Sequence, residues 1–451
     1  MLRTHLRLSS FLKRFVGLLL MSCSAVVPAV RAQEQASSEY VTAEVVIKLV
    51  QASDLPAVAA DFRLDPTPLD RFGSRPIFRL RILDGVTPPQ RASELVADSR
   101  NRVIYAEPNF VAHTPEGQGN SWSVGNSWSV GNSWSVGGGA EVYAAQPFQS
   151  LIRLPEALNA TRGGGIRIAV LDTGVDASHP ALTGKLLSGF DFVDFDSDPS
   201  EVGVRGQNLS FGHGTHVAGL VALAAPDAKI IPVRVLDPSG VGNIWVLAEA
   251  LAYAVNPDGN PYTDDGAQVI NLSLGTNRRT DLLAEIVAAV TCRGNDDDDD
   301  DDEDCDDGSC ATGDGCLAFR QGGAVVIAAA GNTGNITRIY PAAESVAGSL
   351  AVGASNESDT LALYSTRGPW VRVLAPGERI LSSVPGGGYG VWSGTSMAAP
   401  LVAGEAALVL AKNQGMSAAE VVERIVATAK PIVSPVPRRI DPAAAVGLPR
   451  Q

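Results

Sequence analysis

Histidine is scarce. The chain has 451 residues and only five histidines, and just three of them, His179, His213 and His216, follow residue 113. Any chemistry that rests on imidazole must choose among these three. His213 and His216 are three apart, with no glutamate placed as in His-Glu-x-x-His, which argues against a zincin-type metal centre. A basic face is also missing. The formal charge is -14, and residues 296–307 hold 11 acids and no base, leaving about -3 for the rest. Nothing here suggests a nucleic-acid partner, which would need clustered lysine and arginine. The apolar run from Phe15 to Met21 is too short for a membrane span of ~20 residues. No transmembrane helix is expected in the mature protein.

Hydrophobic residues make up 45% of the chain, enough to bury a large core in two or three domains. Arg3, Arg7, Lys13 and Arg14 precede the apolar run, and small residues follow, ending in Val30-Arg31-Ala32. This is the pattern of an export signal over residues 1–32, and it predicts a secreted, extracellular or periplasmic protein. Leu20-Met21-Ser22-Cys23 resembles a bacterial lipoprotein box. Two readings stay open: Cys23 is discarded with the signal, or it carries a lipid anchor. Four cysteines remain, Cys292, Cys305, Cys310 and Cys316; crowded together in an exported chain, they predict two local disulfides.

Residues 40–113 read as a small α+β domain, with strands near 44–50, 77–83 and 103–106 and a helix over 88–99. Residues 114–150 read as a flexible linker. They carry Gly-Asn-Ser-Trp-Ser-Val three times, at 119–124, 125–130 and 131–136, too few copies for a stable solenoid. Beyond residue 151 the pattern changes. Short apolar runs at 166–171, 229–235, 269–274 and 324–330 alternate with helical patterns at 214–224, 243–255 and 281–292. Strands buried on both faces look like this, so residues 151–451 are expected to form a three-layer α/β domain around a parallel sheet. A long buried helix should run from 396 to 411. Ser417 and Glu420 form a capping box, with Met416 and Val421 at staple spacing.

Three residues stand where nucleophilic catalysis needs them. Asp172 ends a buried strand and precedes Thr173-Gly174, a sharp turn at a sheet's carboxyl edge, where open α/β sheets place their sites. His213 lies in Gly212-His213-Gly214-Thr215-His216-Val217-Ala218-Gly219, at the start of a helix. Ser396 lies in Gly394-Thr395-Ser396-Met397-Ala398-Ala399-Pro400, also at a helix start, where free N–H groups favour developing negative charge. His216 and His179 read as packed structural histidines.

These segments, in the order Asp, His, Ser, resemble the signature motifs of the subtilisin-like serine peptidases, over about residues 165–443. A fourth motif, Ala329-Ala330-Gly331-Asn332, strengthens the likeness. The resemblance implies a Ser396–His213–Asp172 triad, with Asn332 and the Ser396 N–H as oxyanion donors, and it requires no cofactor for the chemistry. It also implies that Ser273-Leu274-Gly275 pairs with an extended peptide, with Gly275 bordering the pocket before the cut and Gly353 in another pocket wall. Residues 40–113 resemble an inhibitory subtilase propeptide, cut off between about 113 and 150. The expected partners are therefore polypeptide substrates and the chain's own propeptide, and the expected state is a monomer.

The cysteine-containing insert, residues 292–323, departs from the family. Seven consecutive aspartates repel one another, so a solvated loop is one reading; a calcium site is the other, although no EF-hand spacing is present. In many relatives an acidic calcium ligand follows His-Pro; here Ala181 stands after His179-Pro180. Asp191, Asp194, Asp196 and Asp198 make a further acidic loop of unassigned purpose. Two alternatives accompany a broadly acting endopeptidase: a narrow-specificity processing protease, and an extracellular binding protein built on a protease fold.

Overall fold

The apolar runs become strands because each can bury both of its faces. In Arg167–Asp172, Ile168 and Val170 point into one core while Ala169 and Leu171 point into the other. Val325–Ala329 divides the same way, with Ile327 on one side and Val326 and Ala328 on the other. Each large side chain so buried contributes about 1.5–3 kcal/mol. The structure is a computed structural model, and it describes residues 39–115, 139–260, 263–292, 316–317 and 323–450. The signal segment, the hexapeptide repeats, Cys305, Cys310 and most of the acidic insert lie outside the described residues.

Among the described residues the main sheet has nine strands, and from Val371–Pro376 they run in the order Ser349–Ser355, Val325–Ala329, Val269–Leu272, Arg167–Asp172, Lys229–Arg234 and Phe190–Asp191. These seven are parallel; the short pair Lys430–Pro431 and Arg438–Arg439 completes the other edge. Helices His213–Ala224, Thr395–Lys412 and Ala418–Thr428 cover one face, and Ile244–Val255 and Asp281–Thr291 cover the other. This is the three-layer α/β arrangement expected. Thr395–Lys412 is long and apolar enough to cross a membrane, yet its apolar window is 89% buried inside the protein; it is a core helix.

Local signals set the helix starts. Asn243 and Thr280 cap their helices by accepting from Val246 N and Leu283 N, and the Ser417–Glu420 capping box is complete.

The N-terminal unit has its own apolar core around Val45, Ile47, Leu49, Phe78, Leu80 and Leu95. Tyr40–Leu49 pairs antiparallel with Ile77–Arg81 and with Val103–His113, and helix Pro88–Val96 packs behind them. Val103–His113 is much longer than the strand expected at 103–106. Its end leaves the N-terminal unit's sheet and pairs with Val241–Asn243. The far end of the expected linker is also ordered: Ala140–Ala144 and Pro147–Leu151 are short helices, anchored where buried Tyr143 donates to Gly219 O at 2.6 Å.

Candidate active site

Asp172 sits at the carboxyl end of its strand, fully buried. The following turn closes against the loop before the His213 helix. Gly174 has φ +111°, and a Cβ there would lie 2.5 Å from Ser200 O, so only glycine fits. Gly214 is equally constrained, since a Cβ would meet Gly174 O at 2.1 Å. This close approach brings His213 Nδ1 to 2.7 Å from Asp172 Oδ1. With a carboxylate as acceptor, Nδ1 carries the proton, which leaves Nε2 as the basic nitrogen. Asp172 Oδ1 also accepts from Thr173 N at 2.8 Å, and His213 is 1% exposed.

Ser396 lies in the first turn of Thr395–Lys412, a helix packed directly against the His213 helix. Its carbonyl accepts from Ser273 Oγ at 3.0 Å, and its own Oγ faces Ser273 O at 3.5 Å. Asn332 follows the buried strand Val325–Ala329. Its Oδ1 accepts from both Thr395 N and Thr395 Oγ1 at 2.9 Å. The carboxamide is thereby oriented, with its oxygen tied to the residue before Ser396.

Gly275, at the end of the segment 273–275, is already paired. His113 N donates to Gly275 O, and Gly275 N donates to His113 O, both at 2.9 Å. On the other side Thr114 N donates to Gly240 O at 3.0 Å. The chain's own 111–114 segment thus lies as a strand between Val241–Asn243 and Gly275. Leu274 is buried in the core behind it, and Gly353 is packed beneath Leu374, whose Cδ2 a Cβ would meet at 2.6 Å.

The other histidines do different work. His216 is fully buried and stacks on Trp392 at 4.7 Å, and burial pushes its pKa down to about 3. His179 is locked by Gly388 O at 2.7 Å and accepts from Ala181 N through Nδ1. The loop beginning at Asp191 has a structural role. Arg234 bridges Asp191 and Asp194 at 2.5 Å, while Asp196 and Asp198 accept backbone N–H groups of the same loop. Ala181 supplies no carboxylate beside His179-Pro180, and Asp191 and Asp194 are engaged by Arg234. Among the described residues no group of three His, Cys, Asp or Glu side chains could hold a metal. Cys292 and Cys316 form a disulfide across the ends of the acidic insert.

Sequence reasoning missed Glu201. It accepts from Thr173 Oγ1 at 2.7 Å and from Thr215 Oγ1 at 2.9 Å, and burial together with the Asp172 charge pushes its pKa up to about 7 against these hydrogen bonds. It stands 12 residues before His213 in a loop with no periodicity, and no motif marks it.

The subtilase family model matches residues 163–444. The chain belongs to the subtilase family. This is a family of serine-type endopeptidases that need no cofactor for catalysis, and its members are typically secreted. The subtilase chain is 39% identical over 288 residues to the thermophilic serine proteinase of Bacillus sp. (strain AK1), an alignment covering 61% of this chain and 59% of that one. It thus spans under two thirds of that relative's length. It is 38% identical over 291 residues to thermitase of Thermoactinomyces vulgaris, covering 62% and 87%. Among solved structures, fervidolysin from Fervidobacterium pennivorans, described as a keratinolytic enzyme related to subtilisin, shares the fold over 92% of this subtilase and 62% of its own chain, with a TM-score of 0.66 at 22% identity. A protease of Pseudoalteromonas arctica PAMC 21717 aligns with a TM-score of 0.53 at 28% identity, covering 65% and 93%.

Proposed function

We propose that the chain is an exported serine endopeptidase, made as a zymogen, that hydrolyses peptide bonds through an acyl-enzyme on Ser396. The observation that carries this reading is the buried 2.7 Å contact between His213 and Asp172. His213 Nε2 takes the Ser396 proton as Oγ attacks the peptide carbonyl, then returns it to the leaving amine. Asp172 holds the Nδ1–H tautomer and stabilises the imidazolium. The Ser396 N–H and the Asn332 carboxamide, oriented through Thr395, stabilise the oxyanion.

Residues 40–113 act as the inhibitory propeptide. Their terminal strand lies where a substrate would add as an extra strand. Glu107 accepts from the N-terminal amides of Asp281 and Leu282, and Asn109 Oδ1 accepts from Trp245 N, so two surface helices grip the unit through free N–H groups. Self-cleavage in the segment after Thr114 then frees the cleft. Serine-directed phosphonate labelling tests the reading. The mature protein should be labelled at Ser396, and Ser396→Ala should accumulate as the signal-free, uncut chain. No label on mature protein, or normal trimming of purified Ser396→Ala, would refute it.

A further inference from the structure

The turn carrying Asp172 and the helix carrying His213 are joined by a side chain outside both motifs. Thr173 Oγ1 accepts from Gly214 N at 2.9 Å and donates to Glu201 Oε1 at 2.7 Å. Thr215 Oγ1 accepts from Asp176 N at 2.9 Å and donates to Glu201 Oε2 at 2.9 Å, and Thr215 N donates to that same oxygen at 3.2 Å. Each threonine hydroxyl has one proton and already accepts a backbone N–H. Both therefore need an acceptor in the same place, and only a carboxylate offers an acceptor oxygen to each. The loop is held there by its backbone as well, since Val175 N donates to Pro199 O at 3.0 Å. Missing side-chain atoms at Gly174 keep the two segments in contact.

We propose that Glu201 is a positioning residue for the reaction: its carboxylate straps the Asp172 turn to the first turn of the His213 helix and so fixes the geometry between the two catalytic groups. The inference rests on the reading of Asp172, His213 and Ser396 as the triad. Thr173 and Thr215 are the two buckles of the strap. A glutamine in place of Glu201 keeps one acceptor oxygen but turns an N–H₂ donor towards the other hydroxyl, which must rotate away. An alanine frees both segments. Displacements of about 1 Å in a catalytic constellation can cost about a hundredfold in rate.

The test compares wild type, Glu201→Gln, Glu201→Ala, Thr173→Val and the Thr173→Val/Glu201→Gln double variant on one peptide substrate. Rates are expressed per active site titrated with phosphonate, so that misfolded protein does not count. The expected result is a kcat about tenfold lower for Glu201→Gln and about a hundredfold lower for Glu201→Ala, with KM within twofold. The double variant should be no slower than the slower single one, because both changes break the same strap. A purely structural role would lower the melting temperature and the titratable fraction while leaving kcat per titrated site unchanged. That result, or multiplying effects in the double variant, would overturn the proposal. Should Glu201→Ala fail to fold, Glu201→Gln, Thr173→Val and their combination decide by the same criteria. Wild type and Ser396→Ala run alongside. If wild type hydrolyses the peptide and Ser396→Ala does not, unchanged Glu201 variants refute the strap alone; an inactive wild type or an active Ser396→Ala refutes the triad reading.

Discussion

Replacing Glu285 by alanine should loosen the grip of the N-terminal unit without impairing catalysis. Glu285 lies on helix Asp281–Thr291, on the catalytic side. Its carboxylate receives Lys48 Nζ at 3.0 Å, Arg75 Nη1 at 3.2 Å and Tyr105 OH at 3.3 Å, all from the 39–115 unit. Lys48 is 4% exposed and Arg75 8%, so water screens these pairs little. Truncating one partner of a buried, hydrogen-bonded charge pair costs about 2–5 kcal/mol, much of it for the charges left behind. Since Glu285 keeps some exposure, about 3 kcal/mol is the appropriate magnitude, or roughly a 150-fold weaker complex. The assay titrates mature protease with the 39–115 segment and reads inhibition of peptide hydrolysis. Inhibition by the segment should weaken by that factor in Glu285→Ala, while kcat and KM without it stay at wild-type values. The difference should persist in high salt. An inhibition constant within threefold of wild type would refute the reasoning, because it would mean that Lys48 and Arg75 are as well satisfied without Glu285.

Two further outcomes follow from buried groups. Glu405 is fully buried in Thr395–Lys412, and neither of its oxygens finds a hydrogen-bond partner among the described residues. Burial, then the charge of Asp441, raise its pKa well above the usual carboxylate range, against Arg439. A raised folded-state pKa means that its stability contribution is complete below the unfolded value near 4.5 and declines as pH rises towards the folded pKa. Glu405→Leu should therefore stabilise the protein by about 1–3 kcal/mol, with a melting-temperature gap that widens from pH 5 to pH 9; a gap independent of pH would contradict this. The Cys292–Cys316 disulfide spans a sequence separation of 24, for which loop closure is worth about 3 kcal/mol. The Cys292→Ser/Cys316→Ser double variant should melt at a lower temperature than wild type under oxidising conditions, and an unchanged melting temperature would argue against that closure.

Much of the candidate site was legible because its motifs are local. Asp172 at a strand end, His213 and Ser396 at helix starts, and Asn332 after a buried strand are each marked by their immediate neighbours. Burial on two faces demands near-continuous apolar runs, which is why the central strands and the covering helices appear at almost the expected residues. The short pairings were not legible. Phe190–Asp191 and Arg438–Arg439 have two residues each, too few for any periodicity, and depend on the neighbour that the fold supplies. The extension of Val103–His113 was equally hidden, since its last residues, 111–113, pair with Val241–Asn243 from far along the chain.

By itself, then, the sequence determined the family and the layered fold and singled out the residues proposed to carry the chemistry, because apolar period and helix-start motifs act over a few positions. Only the tertiary structure decided what several other acidic side chains do. Asp191 and Asp194 meet Arg234 from 40 or more residues away, Glu285 meets Lys48 across 237, and Glu201 meets Thr173 across 28. A carboxylate takes its role from whichever donor the fold brings within about 3 Å, and nothing in its own neighbourhood along the chain announces that donor.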